Sequence, residues 1–252
     1  MRRLVLDIGN TKTAVGWYDD RKLVRSWRLR TRHWTSDDLG SALHVLLSSF
    51  GLAGPASVGF ACVVPRLRHV VYLASVEWLS AEPLEVTFST AGLIIEYPTP
   101  EELGADRISN AVAAVSMGCK PAIVADFGTA TTFDVIDSSG AYLGGAIAPG
   151  VGTAAAELFR KAEKLSPVDL DLPERALGRS TSEAVKSGVL LGAAGAADRM
   201  TELLSEGLGG RPALLATGGW APGLAPLCRS GFRVIPSLTL DGIAEVCRRN
   251  GK

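Results

Sequence analysis

Neither charge predominates in this chain: 26 lysines and arginines stand against 26 aspartates and glutamates over 252 residues, so no global field draws it to nucleic acid or to an anionic membrane. Cysteine and histidine are scarce. Cys62, Cys119, Cys228 and Cys247 form no Cys-x-x-Cys pair, and His33, His44 and His69 stand apart from them and from one another, which argues against a zinc centre or a disulfide framework. Long apolar runs are missing too. The longest weakly polar stretch, Gly188 to Ala197, is too short and too rich in glycine to span a bilayer, and no signal-peptide core follows Arg2 and Arg3. What remains is 47% hydrophobic and 21% charged, enough for one large core or two modest ones. The expectation is a cytoplasmic globular protein in which any acidic ligand is met by local groups, with neither nucleic acid nor membrane as partner.

The most informative feature present is a repetition. Leu4 to Val15 reads LVLDIGNTKTAV, and Val124 to Val135 reads VADFGTATTFDV. Each has an apolar run, then Asp, a bulky apolar residue, Gly and a string of hydroxyl side chains. Asp7 matches Asp126, Gly9 matches Gly128 and Thr13 matches Thr132 at a constant offset of 119, close to half the chain. Such spacing predicts a duplicated domain.

The surrounding pattern agrees. RRLVLDIG and KTAVGWYDDRKLVRSWRLR read as three strands with a hairpin turn at Asp19-Asp20, followed by a helix over 34–50 behind a Thr35-Ser36-Asp37-Asp38 cap cluster and a buried strand stopped by Pro65. After ADRISNAVAAVSMG the strands PAIVADFG, TTFDVIDSSG and AYLGGAIAPG begin the pattern again. Helices alternating with strands predict an α/β fold with mixed sheets, divided into 1–114 and 115–252, with a cleft between the halves. A later helix carries Ala184, Gly188, Gly192 and Ala196 at i+4 steps, a smooth stripe suited either to packing inside one subunit or to a dimer seam.

Asp-x-Gly at a strand end is a tight turn, and in isolation it is an ordinary hairpin. Two copies, each following a buried strand, point to something more. Successive backbone N–H groups with Asn10, Thr11 and Thr13 in one copy, and Thr129 and Thr131 in the other, form loops able to hold a phosphate chain. Asp7 facing phosphate requires a cation, Mg²⁺ being suitable. A third motif, YPTPEELGADR from Tyr97 to Arg107, sets an acid and a base at a helix start. There Asp106 can be an N-cap and Arg107 a surface ion-pair partner, or both can be chemical groups. The basic run Arg21 to Trp34 reads as an exposed edge strand whose Arg28, Arg30 and Arg32 discourage pairing, in preference to a nucleic-acid surface.

Taken in order, DIGNT, GADR, DFGTATTFD, LGGAIAPG, GRSTSEAVKSG and ATGG resemble the type III pantothenate kinases over nearly the whole chain. The resemblance implies two ribonuclease-H-like domains of the actin-like ATPase superfamily with a nucleotide cleft, ATP-dependent phosphorylation of pantothenate at the start of coenzyme A synthesis, Mg²⁺ with ATP, a monovalent cation (K⁺ or NH₄⁺) and a homodimer. It assigns Asp7, Ile8, Gly9, Asn10, Thr11, Lys12, Thr13 and Ala14, with Thr129, to ATP. Asp106 becomes the proton acceptor, Asp126 the monovalent-cation ligand, and Tyr97, Gly104, Ala105, Asp106, Arg107 and Thr181 the pantothenate contacts. Lys12 falls where the family varies, so its contact with phosphate is left open. The same resemblance brings a regulatory homologue without turnover as the alternative, and a sugar kinase of the superfamily as a third reading that the chain length disfavours.

Overall fold

The computed structural model describes residues 1–252, which divide into two compact units: Met1–Met117 together with Ser237–Lys252, and Gly118–Pro236. In the first unit β1 (Arg2–Ile8), β2 (Lys12–Asp19) and β3 (Lys22–Arg30) form an antiparallel meander. β4 (Ser57–Cys62) and β5 (Pro83–Glu85) then add in parallel beyond β1, giving the order β3-β2-β1-β4-β5. The turn between β2 and β3 holds Asp20 at φ 50°, a left-handed conformation that aspartate tolerates better than most residues.

The two faces of this sheet are covered differently. Leu4, Leu6, Ile8, Val15, Trp17, Val58 and Phe60 point to one face and pack with Leu39, Leu43 and Leu47 of α1 (Ser36–Ser49) and Val71 and Ala74 of α2 (Arg68–Leu79). Helix α1 starts where Thr35 and Asp38 exchange hydrogen bonds at 3.1 Å each, a capping box that satisfies two backbone N–H groups at the helix start. The other face receives α3 (Ala105–Ser116) and α7 (Leu238–Arg249). Those two helices touch so closely that a β-carbon on Gly242 would collide with the Ser109 carbonyl, and Thr239 donates to Asn110 at 2.8 Å. Tyr18 donates to Asp241 at 2.6 Å, fastening α7 to β2, and Ser237, just before the helix, donates to the same carboxylate at 2.7 Å.

In the second unit β6 (Ala122–Phe127), β7 (Ala130–Ile136) and β8 (Tyr142–Pro149) repeat the meander, with β9 (Ala213–Thr217) and β10 (Arg233–Val234) parallel beyond β6. The order β8-β7-β6-β9-β10 restates the first sheet strand for strand. Ile123, Ala125, Phe127 and Phe133 pack with Leu190, Ala194 and Ala197 of α5 (Thr181–Ser205) and with Leu224 of α6 (Ala221–Leu224); α4 (Val151–Lys161) follows β8 directly.

Two differences from the sequence expectation stand out. The final helix, which a boundary at 115 groups with the second half, packs in the first unit against β1, β2, β4 and α3. Helix α3, which the boundary at 115 would cut before its last two residues, belongs wholly to the first unit.

Candidate functional site

The first Asp-Gly turn spans Gly9 to Lys12, closed by the Gly9 N–H donating to the Lys12 carbonyl at 3.1 Å. Strand alternation sorts its side chains. Ile8 and Thr13 pair across the ladder and face the apolar core, and the buried Thr13 hydroxyl lies 2.9 Å from that of Thr31, so these two offer a ligand backbone groups only. Asp7 pairs with Ala14 on the opposite face, half-buried, while Asn10, Thr11 and Lys12 are exposed. The Thr31 N–H donates to the Thr11 carbonyl at 3.0 Å, tying the chain that leaves β3 to the loop.

Asp106 stands at the second position of α3, on the sheet face shared with Asp7. The cap is Gly104, which makes no side-chain cap bond. A β-carbon on Gly104 would lie 2.5 Å from Asp106 Oδ1, so glycine is what admits the carboxylate. Oδ1 accepts the Arg107 N–H at 2.8 Å. Burial pushes the Asp106 acid above its ordinary range, opposed by that hydrogen bond and by the Arg107 guanidinium. Arg107 is buried at 8% exposure, so the reading of a surface ion pair fails. Tyr97 lies half-buried in the irregular segment before a short 3₁₀ turn at Pro100–Glu102.

The second Asp-Gly turn is one residue shorter. Gly128 donates to the Ala130 carbonyl at 3.0 Å, and Phe127 pairs with Thr131, so Thr131 occupies the place that Thr13 holds in the first sheet. Thr132, its counterpart by sequence offset, faces the other way, opposite Asp126. Asp126 pairs in parallel with Thr217, which leads into the Gly218-Gly219 turn. Gly218, at φ +92°, presses on Asp126 and Phe127, and the Trp220 N–H donates to the Phe127 carbonyl at 3.0 Å. On the other side Gly150 admits the Gly128 and Thr129 carbonyls, and Thr129 accepts from Gly150 N at 3.2 Å and from Thr153 Oγ1 at 2.6 Å. Gly218 and Gly128 are thus the glycines that stand against the Asp126 carboxylate, while Gly150 and Thr153 hold the Gly128-Thr129 turn that follows it.

Thr181 opens α5 behind the Ser180 cap. It lines an apolar groove of about 780 Å³ shared with Pro149, Val151, Gly188 and Gly192. Nothing lies within 4 Å of a β-carbon built on Gly188 or Gly192, so the small-residue stripe is not a seam inside this subunit.

The family model for type III pantothenate kinase matches residues 3–203. The chain belongs to the type III pantothenate kinase family. It is 42% identical over 248 residues to the type III pantothenate kinase of Desulfosudis oleivorans, covering 95% of this chain and 96% of the relative. With that of Desulfatibacillum aliphaticivorans it shares 40% over 251 residues, 98% of both chains. Among solved structures it is similar to a Campylobacter jejuni protein described as a Baf family transcriptional activator, with TM-score 0.60, 20% identity and 98% of both chains covered. It also resembles the activator of 2-hydroxyisocaproyl-CoA dehydratase from Clostridium difficile with bound ADPNP, at TM-score 0.57 and 14% identity over 98% of this chain and 92% of that one. At these identities the structural likenesses speak to fold alone, a two-unit α/β fold.

As a type III pantothenate kinase family member, the chain keeps each sequence-assigned acid at a strand end or helix start. Sequence reasoning did not assign Gly150 and Thr153 to the Thr129 turn, nor Gly218 to the side of Asp126. The ATGG motif was the available signal for the last of these, since a glycine pair after a buried strand marks a close backbone approach. No helix is long and apolar enough to cross a membrane.

Proposed function

We propose that this chain transfers the γ-phosphoryl group of ATP to the primary hydroxyl of pantothenate, forming 4′-phosphopantothenate and ADP, the first step of coenzyme A biosynthesis. The observation that carries the proposal is the half-buried Asp106, held in a glycine-shaped place at the start of α3 with its proton affinity raised. A carboxylate whose affinity is moved toward neutrality is suited to accept a hydroxyl proton late in phosphoryl transfer. The new bond joins the pantothenate oxygen to phosphorus, the bond from phosphorus to the bridging oxygen breaks, and the hydroxyl proton goes to Asp106.

The remaining work is positioning and charge compensation. The N–H groups of the Asp7–Thr11 loop and of Thr129 serve the phosphate chain. Asp7 and Asp126 present carboxylate oxygens, donors fitting hard cations. Asp7 is assigned to Mg²⁺ through water, and Asp126 to K⁺ or NH₄⁺. Such cations neutralise the phosphates. Tyr97, Gly104, Ala105, Arg107 and Thr181 are assigned to pantothenate. The open stripe beside Thr181 supports a homodimer across α5, in the cytoplasm.

The test is ADP release from ATP and Mg²⁺, with and without pantothenate, in K⁺ and in Na⁺ buffers. The proposal expects pantothenate-dependent release that is faster in K⁺, and loss of both the rate and the cation response in Asp126→Ala. Nucleotide binding without pantothenate-dependent release would identify a regulatory homologue instead.

A further inference from the structure

The ladder of the first sheet sets three cations beside the first loop, on one face. Asp7 pairs with Ala14 and Ala14 with Arg28, so the three share a row across β1, β2 and β3. In the next row Lys12 stands opposite Arg30. Strand alternation puts both rows on the face away from Trp17 and Trp27, the face that α3 and Asp106 also occupy. Arg28, Arg30 and Lys12 are all exposed, and none is held in an ion pair with an acid. Two like charges directly opposite in a ladder destabilise it, so folding alone does not favour the Lys12–Arg30 pair. Ala14 ends at its β-carbon, so its own row puts no long side chain between Asp7 and Arg28, whose backbones are roughly 10 Å apart across two strand spacings.

The duplicated unit is an internal control. Its corresponding row is Asp126, Thr132 and Ile147, and the next is Ala130 and Pro149. Edge strand β8 carries no charged residue at all. Neither the hairpin nor its edge position therefore demands arginine in β3, and edge protection alone does not explain why Arg28 and Arg30 share the face of Asp7. The Thr31–Thr11 and Thr31–Thr13 hydrogen bonds further hold the end of β3 to the loop.

We propose that Arg28 and Arg30, together with Lys12, form a basic shelf that binds the phosphate chain of the nucleotide. The inference rests on reading the Asp7–Thr11 turn as a phosphate loop. The shelf balances the Asp7 carboxylate with three cations and offers two guanidinium forks to phosphate oxygens. It makes affinity depend on the number of phosphates and on salt.

The test titrates ATP, ADP and adenosine, each with Mg²⁺, into the whole protein and into the Arg28→Gln/Arg30→Gln double variant, with melting temperature checked on the same samples. ATP binding should weaken about tenfold or more in the double variant, with a flatter salt dependence, while adenosine binding is unchanged. Arg25→Gln removes a cation from the opposite face of the same strand, where Arg25 lies 4.0 Å from the Phe50 ring centre, and should leave ATP affinity intact. Should the double variant fold poorly, Arg30→Gln alone is expected to weaken ATP severalfold with adenosine again unaffected. Unchanged ATP affinity in folded variants, an equal loss in Arg25→Gln, or a wild-type protein that binds no ATP would overturn the shelf. A wild-type protein that binds ATP through these arginines yet makes no phosphopantothenate would sink the proposed reaction and leave the shelf standing.

Discussion

Gly218 leaves no room for a β-carbon beside Asp126: one built there would collide with Oδ1 of the carboxylate and come within 2.6 Å of the Phe127 carbonyl carbon. Its φ of +92° also disfavours any side chain. Gly218→Ala should therefore displace Asp126 and lower turnover by about tenfold to a hundredfold, the scale of a 1 Å misplacement, with some loss of stability. Gly219, which has nothing within 4 Å, should accept alanine with little change. Steady-state rates and thermal melts on the pair make the check, and equal rates in both variants would remove Asp126 from the chemistry.

Asp106→Asn keeps the size of the side chain and removes the proton acceptor, so turnover should fall by about a hundredfold or more. Its effect on stability has a predictable sign. Burial holds the folded-state acid above its ordinary range, so the folded chain binds the Asp106 proton more tightly than the unfolded chain does. The stability that this residue contributes is fully present in acid. It declines as pH rises from the unfolded carboxylate value of about 4 through the raised folded one. Relative to wild type, the Asn variant should thus gain melting temperature as pH is raised from acid to neutral. A variant that melts progressively lower than wild type over that range would make the carboxylate a structural cap.

Gly188→Leu probes the groove. With nothing near a β-carbon at this position, the variant should fold with close to wild-type melting temperature in one subunit. If copies meet across α5, the added isobutyl group should separate them, because overfilled close-packed contacts cost about 1–3 kcal/mol or more, and pantothenate affinity should drop with the Thr181 environment. Sedimentation and substrate titration on the same samples decide it. A variant that stays dimeric but melts early would place the stripe inside the subunit.

The sequence carried the local elements well, because strand alternation, Thr35 capping and the paired Asp-Gly turns are all written in short windows. It was weaker on what depends on long-range contact. Leu240, Ile243 and Val246 mark an apolar helix face but do not name its partner, so the return of α7 to the first unit was hidden. Gly59 and Gly242 are the residues where α7 comes nearest, yet a glycine in a strand or helix signals an approach without saying by what. The one-residue shortening of the second turn escaped for a related reason. A constant offset aligned Thr13 with Thr132, whereas hydrogen-bond register aligned it with Thr131. The stripe at Gly188 suited internal packing, the commoner use of such a stripe, or a dimer seam, and the empty space beside Gly188 and Gly192 removes the first.

The most direct measurement of the central claim is mass spectrometry of a reaction containing purified protein, pantothenate, ATP, Mg²⁺ and K⁺, with Asp106→Asn run in parallel. The wild-type protein should produce 4′-phosphopantothenate in step with ADP, and the variant only a trace of it. Folded wild-type protein that binds ATP and leaves pantothenate unmodified would contradict the assignment.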